Sequence, residues 1–379
     1  MAIRKRQWTA PDGSAKQAWL VDYRDGMGHR RSKQFEKKKE AEAWQIKAKS
    51  EVIAGIHTPD SVSITVKDAA ALWQARIKAD DRERGTLKHY DQLCRLHIVP
   101  LLGAERLSRL TRPRIEQYRD DLLRDRSRAM AGKALVALSG IISEAQRRGL
   151  VAQNVAHGVR VKIASRDKPK PAIPTSSELK AILGAAPADM HPLLLTAILT
   201  GLRVSELRGL RWQDIDLHAG TLSVNQRADK FGQIGSPKSK AAYRTIPIAP
   251  ALTSELRKWK LACPIGELGL VFPNTAGGVQ DYGHLLRRKF HPLLIKAGVC
   301  DATGEVKDDK PVMQARYGFH AFRHAAASAW IKSNIDLKRL QVWMGHEDIQ
   351  LTLNTYGHLI KDADGDAALI AAAHASLLL

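Results

Sequence analysis

The first 57 residues contain short stretches in which apolar and polar positions alternate, a period of two that is typical of strands. Residues 17–23 and 30–35 flank the turn sequence RDGMG, which predicts a β-hairpin. From Lys37 to Ala54 the apolar residues recur at helical spacing, and Gly55 ends that pattern. The segment therefore predicts a small three-stranded sheet backed by one helix.

Residues 62–160 have apolar residues at helical spacing, and an all-helical domain is expected. The predicted helices are Val66–Ala79, Thr86–His97, Arg112–Leu123 and Ala129–Gly149.

Residues 161–174 differ from both flanking segments, because Pro169, Pro171 and Pro174 alternate with lysines and arginines. Proline disfavours a helix and favours an extended chain, so this stretch predicts a basic linker between two domains. Thr175 and Glu178 then have the spacing of a capping box, which predicts that a helix begins there.

Residues 175–379 combine helical spacing with short alternating stretches. The predicted elements are helices at Ser177–Ala185, His191–Thr200 and Leu202–Leu210, a small sheet from Asp216–Val224 and Tyr243–Ile248, and four or five further helices ending with Ala367–Leu378. The predicted fold class is mainly α with small antiparallel β-sheets, in a multidomain α+β protein.

The charge of the chain indicates a polyanionic partner. Its 379 residues include 60 lysines and arginines against 39 aspartates and glutamates, a net charge of +21. Residues 1–170 hold 36 of the basic and 20 of the acidic residues, so the excess is concentrated in the front half. A basic surface that only aids solubility is the alternative; a nucleic acid is the partner that this charge favours.

Cysteine usage and hydropathy argue against several protein classes. Cys94, Cys263 and Cys300 lie far apart with no CxxC pair, unlike a disulfide framework or a zinc finger. The N-terminus has no apolar signal segment, and no apolar run reaches the ~18 residues of a membrane span. We expect a soluble cytoplasmic protein without a membrane partner.

Candidate chemistry is concentrated in residues 318–360, which place His320, Arg323, His346 and Tyr356 in order on successive short helices. Arginines can neutralise the charge of a phosphate, and histidines can hydrogen-bond its oxygens. A tyrosine hydroxyl can attack phosphorus. This set therefore suits the breaking of a phosphodiester without a metal ion.

A further arginine, Arg203, lies upstream in TGLRVSELRGL. We expect Gly201 to end one helix so that the next begins at Arg203, where free N–H groups and the helix dipole favour a phosphate. Glu206, one turn further on, is expected to hold the guanidinium in place.

These two segments resemble the two catalytic boxes of the tyrosine recombinases, the phage-type integrases in particular, and the resemblance covers essentially the whole chain. It implies a site-specific recombinase, the integrase of a phage or other mobile element. Such an enzyme cleaves and rejoins duplex DNA through a 3′-phosphotyrosine and needs neither a cofactor nor a metal. The catalytic residues that the resemblance implies are Arg203, Lys238, His320, Arg323, His346 and Tyr356.

The position of the catalytic lysine rests on the resemblance of SPKSKAAYRTIPI to the family's lysine-bearing β-hairpin. Lys238 matches the family position better than Lys240, and such a lysine can protonate the leaving 5′ oxygen.

His320 and His324 have HxxxH spacing, but no third metal ligand is evident from the sequence. A structural role is expected for His324.

The resemblance also implies a division of labour along the chain. Residues 1–57 resemble an arm-site DNA-binding domain, residues 62–160 a core-site DNA-binding domain, and residues 175–379 the catalytic domain. The implied partners are double-stranded DNA at core and arm attachment sites, three further copies of the chain in a homotetramer on DNA, and accessory DNA-bending proteins. The terminal helix could dock on a neighbouring protomer or on its own domain.

Two other functions share these features. A type IB topoisomerase uses the same constellation but religates the same strand. A non-catalytic DNA-binding protein could keep the fold, although it would be expected to have lost catalytic residues, and all six positions are present here.

Overall fold

The structure, a computed structural model, describes residues 1–162 and 172–357. The chain divides into two compact units, Met1–Lys168 and Pro169–Leu379. Each unit has a hydrophobic core of its own. The predicted fold class, mainly helical with small antiparallel sheets, is confirmed.

The first unit begins with a sheet of order β1-β2-β3, in which both neighbouring pairs are antiparallel. Its elements are β1 (Ala2–Thr9), β2 (Ala15–Arg24), β3 (Arg30–Phe35) and helix α1 (Lys38–Ile53). The sheet and the single helix agree with the alternating and helical patterns of this segment.

Residues paired across antiparallel strands share a face, so the register assigns each side chain of this sheet to one of two faces. The two faces differ in chemistry. On one face, the rings of Tyr23 and Phe35 lie 5.2 and 5.6 Å from the ring of Trp44 in α1. The register assigns five basic residues to the other face: Arg4, Arg6, Lys16, Arg24 and Arg30.

The described residues of the first unit that follow α1 are mainly helical, as predicted. The helices are α2 (Val66–Ala79), α3 (Arg84–Leu93), α4 (Val99–Leu102), α5 (Arg112–Asp125) and α6 (Arg128–Arg147). Helices α3 and α4 are continuous through a π-helical turn at Cys94–Ile98. Gly140 lets α6 approach α2 closely, since a Cβ on this glycine would lie 3.3 Å from the indole of Trp73.

The second unit begins with three helices and a small sheet. The elements are α7 (Ser176–Ala185), α8 (His191–Thr200), α9 (Val204–Gly209), β4 (Ile215–Asp216), β5 (Thr221–Val224), β6 (Arg227–Ala228), β7 (Ile234–Gly235) and β8 (Arg244–Pro247). The sheet has the order β4-β5-β8, and β6 and β7 form a separate hairpin. The predicted capping box of Thr175 and Glu178 is present.

The unit continues with helices and one long hairpin. The elements are α10 (Pro250–Ala262), α11 (Tyr282–His284), α12 (His291–Lys296), β9 (Cys300–Lys307), β10 (Lys310–Ala315), α13 (His320–Lys332), α14 (Leu337–Met344) and α15 (Ile349–Tyr356). A π-helical turn at Leu285–Phe290 joins α11 to α12.

The expectation that only helices follow the small sheet was wrong, because β9 and β10 pair as an antiparallel hairpin. Most residues of both strands are exposed, so the hairpin has no buried face that would impose an apolar alternation on its sequence. Asp308 and Asp309 adopt the left-handed conformation at its turn. The predicted terminal helix Ala367–Leu378 lies outside the described residues, as does most of the predicted linker.

A small apolar cluster joins helices α13, α14 and α15. Ala326, Ala327 and Ile331 of α13 pack with Leu340 and Met344 of α14, and the ring of Tyr356 in α15 completes the cluster. Among the residues that the structure describes, no helix is long and apolar enough to cross a membrane.

Candidate active site

The break between α8 and α9 positions Arg203. Gly201 ends α8 with a φ of +60°, and a Cβ there would lie 3.2 Å from Ala326 Cβ and from Met344 Cε. Glycine therefore suits both the backbone conformation and the close packing. Arg203 follows at the N-terminus of α9, as the sequence predicted, and its side chain is 35% exposed.

Glu206 holds two arginines at once. Its carboxylate accepts hydrogen bonds from Arg203 Nη1 at 2.8 Å and from the Arg203 backbone N–H at 2.9 Å. Arg244 Nη2 donates to the same group at 2.8 Å, and Arg244 Nη1 donates at 3.2 Å. Burial opposes ionisation, but the charges of Arg244 and Arg203 outweigh it and lower the pKa of Glu206 to about 2. The carboxylate is therefore charged at neutral pH.

Arg323 is the most deeply buried of the predicted arginines, with 2% of the residue exposed. Its guanidinium donates to the carbonyl of Gly201 at 2.8 Å and to the carbonyl of Met344. Burial, and then the charge of Arg203, lower the pKa of Arg323 to about 9, so the group keeps its charge at neutral pH.

Helix α14 gathers these arginines at its C-terminal end. Arg203 Nη2 donates to Gly345 O at 3.3 Å, and Arg244 Nε donates to Trp343 O at 2.7 Å. Carbonyls at a helix C-terminus attract cations, which explains how three like charges are held together. In the described parts of the chain Glu206 is the one carboxylate bonded to this cluster, so positive charge remains for an anionic ligand.

His346 lies beside this cluster. It follows Gly345, whose φ is +62° and where a Cβ would lie 3.0 Å from Arg244 Nη1. The imidazole is buried, and its Nδ1 lies 2.8 Å from Thr352 Oγ1. Burial, followed by the charges of Arg323 and the other arginines, lowers the pKa of His346 to about 4. A neutral ring with a fixed orientation results.

Tyr356 lies on the last turn of α15 and is 1% exposed. Its hydroxyl is 2.9 Å from Nδ1 of His324, and the two rings meet edge to face. Burial raises the pKa of Tyr356, although the charges of Arg323 and Arg203 oppose the rise. Tyr356 and Met344 belong to the same apolar cluster, and the carbonyl of Met344 accepts a hydrogen bond from Arg323, so Tyr356 and Arg323 lie in the same region of this unit.

His320 begins α13 and has an exposed side chain, in contrast to the buried Arg323 three residues later. Its ring packs edge-on against that of His324, at 4.8 Å between centroids. Desolvation by its neighbours and the charges of Arg323 and Arg203 lower the pKa of His320. No group of three potential metal ligands occurs among residues 1–162 and 172–357.

Lys238 and Lys240 lie between β7 and β8, and both side chains are exposed. The same segment leads into Arg244, which anchors it to Glu206. The alternative between the two lysines therefore stays open.

Two residues of this site had no assigned role in the sequence-based prediction. No function was expected for Arg244, and only a structural role was expected for His324. Arg244 is the first residue of β8, in which buried and exposed positions alternate, so its spacing of two from Ile246 was a signal that it could point inward. His324 lies one turn after His320 on the same helix, which was a signal that it lines the same site.

Comparison with known proteins identifies relatives of this chain. Residues 175–362 match the family model described as the phage integrase family. A XerC-like tyrosine recombinase from Caldanaerobacter subterraneus is 29% identical over 89% of this chain and 90% of its own length. The tyrosine recombinase XerC from Xylella fastidiosa strain M23 is 30% identical, over 60% of this chain and 69% of its own.

Solved structures show the same fold. The Tn1549 transposon integrase, solved in complex with a circular intermediate DNA, superposes with a TM-score of 0.65 at 19% identity. The match covers 82% of this chain and 99% of that one.

Proposed function

The chain belongs to the phage integrase family of tyrosine recombinases and is a site-specific DNA recombinase, and we propose that its arginine cluster and Tyr356 form the active site. The observation that carries this proposal is geometric: the Tyr356 hydroxyl lies 2.9 Å from Nδ1 of His324, which directly follows Arg323 on α13. The type IB topoisomerase alternative is not favoured, because the relatives are recombinases and integrases.

Each residue has a distinct role in the proposed reaction. Arg203 and Arg323 bind the scissile phosphate, and His320 and His346 hydrogen-bond its oxygens. Tyr356 attacks phosphorus and forms a 3′-phosphotyrosine, while the DNA leaves with a free 5′ hydroxyl. Attack by the 5′ hydroxyl of the partner duplex reverses the step, so the energy of the broken bond is kept.

Lys238 is the proposed donor of a proton to the leaving 5′ oxygen. An exposed lysine on a loop can reach a groove of DNA and protonate an oxygen as its bond to phosphorus breaks. Lys240 is the alternative for this role.

The proposed division of labour follows the chain. Residues 1–57 bind arm sites through the basic face of the sheet, residues 62–160 bind core sites, and residues 175–379 carry the chemistry, with residues 161–174 as the linker. Recombination of two duplexes cuts four strands, and one tyrosine per strand implies four copies of the chain on the DNA. Accessory DNA-bending proteins complete the proposed assembly, which acts in the bacterial cytoplasm.

The proposal is tested by Tyr356→Phe. This change removes only the attacking oxygen, so we expect binding to a core-site duplex to persist and covalent adduct formation to stop. The adduct is trapped on a nicked suicide duplex and measured on a denaturing gel. A covalent band of parental intensity from Tyr356→Phe would remove Tyr356 as the nucleophile.

A further inference from the structure

His324 contacts the oxygen that is proposed to attack phosphorus. Its Nδ1 lies 2.9 Å from the Tyr356 hydroxyl, and the ring centroids are 5.6 Å apart at an angle of 61°. In the part of the chain that the structure describes, this is the hydrogen bond that the hydroxyl makes. Tyr356 is buried, which limits the access of water to the same oxygen.

We propose that His324 is the general base that takes the phenolic proton of Tyr356 during strand cleavage, an inference that rests on the proposed role of Tyr356 as nucleophile. His320 is less well placed for this task, because among the described residues the hydroxyl is bonded to His324, and the ring of His320 packs against His324. His324 thus lies between the exposed His320 and the buried hydroxyl.

The protonation states of the two partners suit this transfer. Burial raises the pKa of Tyr356, so the hydroxyl keeps its proton at neutral pH and must lose it to become a good nucleophile. Burial, followed by the influence of His320 and Arg323, lowers the pKa of His324 to about 4. Its imidazole is therefore neutral and can accept a proton. A bound phosphate adds negative charge that favours the resulting imidazolium.

The proton balance closes in both directions. In cleavage the Tyr356 Oη–P bond forms as the P–O5′ bond breaks, the phenolic proton moves to His324 Nδ1, and Lys238 gives a proton to O5′. In rejoining, the incoming 5′ hydroxyl attacks phosphorus and its proton passes to Lys238. The phenolate leaves and recovers its proton from His324.

The test compares His324→Asn in two backgrounds. The asparagine amide occupies the region of Nδ1 and can hydrogen-bond the hydroxyl, but it cannot take a proton. In the full-length protein, His324→Asn is expected to slow single-turnover cleavage of the suicide duplex by about 100-fold. The matched control is His218→Asn, an exposed histidine after β4, which should cleave at the parental rate.

The second background carries trifluorotyrosine at position 356. Its more acidic phenol ionises without help, so the loss from His324→Asn should shrink to less than about tenfold. An equal loss in both backgrounds would mean that His324 supports packing only, and the inference would be overturned. Cleavage by His324→Asn at the parental rate would overturn it as well.

A second measurement uses proteins that keep His324, so it does not depend on whether His324→Asn folds. If His324 is the base, the acidic limb of the cleavage rate against pH reports the imidazole, and trifluorotyrosine at position 356 leaves this limb in place. A limb that moves down with the phenol pKa would mean direct loss of the proton to water, against the inference.

The two proposals fail in different ways. An adduct formed by Tyr356→Phe would remove the proposed nucleophile. An adduct mapped to Tyr356 by mass spectrometry, together with parental cleavage by His324→Asn, would remove only the base.

Discussion

Exposed arginines of the first unit and buried arginines of the second unit differ in their surroundings. In the first unit Arg4, Arg112 and Arg124 are exposed, and each pairs with one carboxylate at the surface. In the second unit Arg244 and Arg323 are buried, backbone carbonyls accept hydrogen bonds from both guanidinium groups, and Arg244 also pairs with the buried carboxylate of Glu206. The first unit also has the larger excess of positive charge.

The difference separates two uses of positive charge. Exposed arginines adjust to a polyanion and act through the release of counterions, so their effect depends on salt. Buried arginines have already lost their hydration and their rotational freedom, so they meet a developing charge without reorganisation. We therefore expect substitutions in the second unit to change the rate of cleavage and those in the first unit to change affinity.

The largest effects are expected at Arg203 and Arg323, which are proposed to bind the scissile phosphate. Arg323→Ala and Arg203→Ala should each slow single-turnover cleavage by roughly 100- to 1000-fold, the scale for losing one preorganised donor to a developing anion. Binding should fall much less, because the chain has 60 lysines and arginines and many of the others remain available to bind phosphates. Arg124→Ala in the first unit is the matched control and should cleave at close to the parental rate.

Thermal melting of each variant separates a loss of chemistry from a loss of fold. This matters most for Arg323, which is buried, and less for Arg203, which is partly exposed. Parental cleavage by a folded Arg323→Ala protein would show that the comparison between buried and exposed arginines does not extend to the reaction.

A smaller effect is expected at the exposed lysines between β7 and β8. Lys238→Ala should cleave about 100-fold more slowly than the parent. It should recover on DNA that carries a 5′-bridging sulfur, because a thiolate leaves without a proton. Lys240→Ala should be near normal on both substrates. Sulfur rescue of the Lys240 variant in place of the Lys238 variant would reverse the assignment.

The sequence was sufficient to predict elements that have a periodic pattern or a capping signal. The helices of the first unit, the capping box at Thr175 and the helix break at Gly201 all follow from such local signals. The hairpin of β9 and β10 could not be found in this way, since most of its residues face solvent and no apolar period marks it.

The candidate site also combines features that a local sequence pattern predicts with features that it does not. The order of His320, Arg323, His346 and Tyr356 can be read from the chain, and so can the contact between Glu206 and Arg203. The bonds of Arg323 to carbonyls depend on where two distant helices end. They are tertiary contacts, and no local pattern encodes them.

The smallest expected effect concerns the first 57 residues. If the basic face of their sheet binds arm sites, the triple variant Arg6→Ala, Lys16→Ala, Arg30→Ala should bind long attachment-site DNA with a weaker dependence on salt. The slope of log K against log salt should fall by ~0.9 for each lost phosphate contact. Cleavage of a short core duplex should be unchanged, because these residues lie far along the chain from the candidate site.

A matched control carries the same change of charge on another surface of the same segment. Lys37, Lys39 and Lys49 are exposed at or near helix α1 and do not belong to the basic face of the sheet. If their replacement by alanine lowers the salt slope as much as the first triple variant does, the segment contributes only diffuse charge. If only the first variant lowers it, the face formed by β1, β2 and β3 is the DNA-binding surface. In that case the position of the exposed basic residues on the sheet matters as well as their number. The exposed arginines would then resemble the buried arginines in depending on a fixed arrangement.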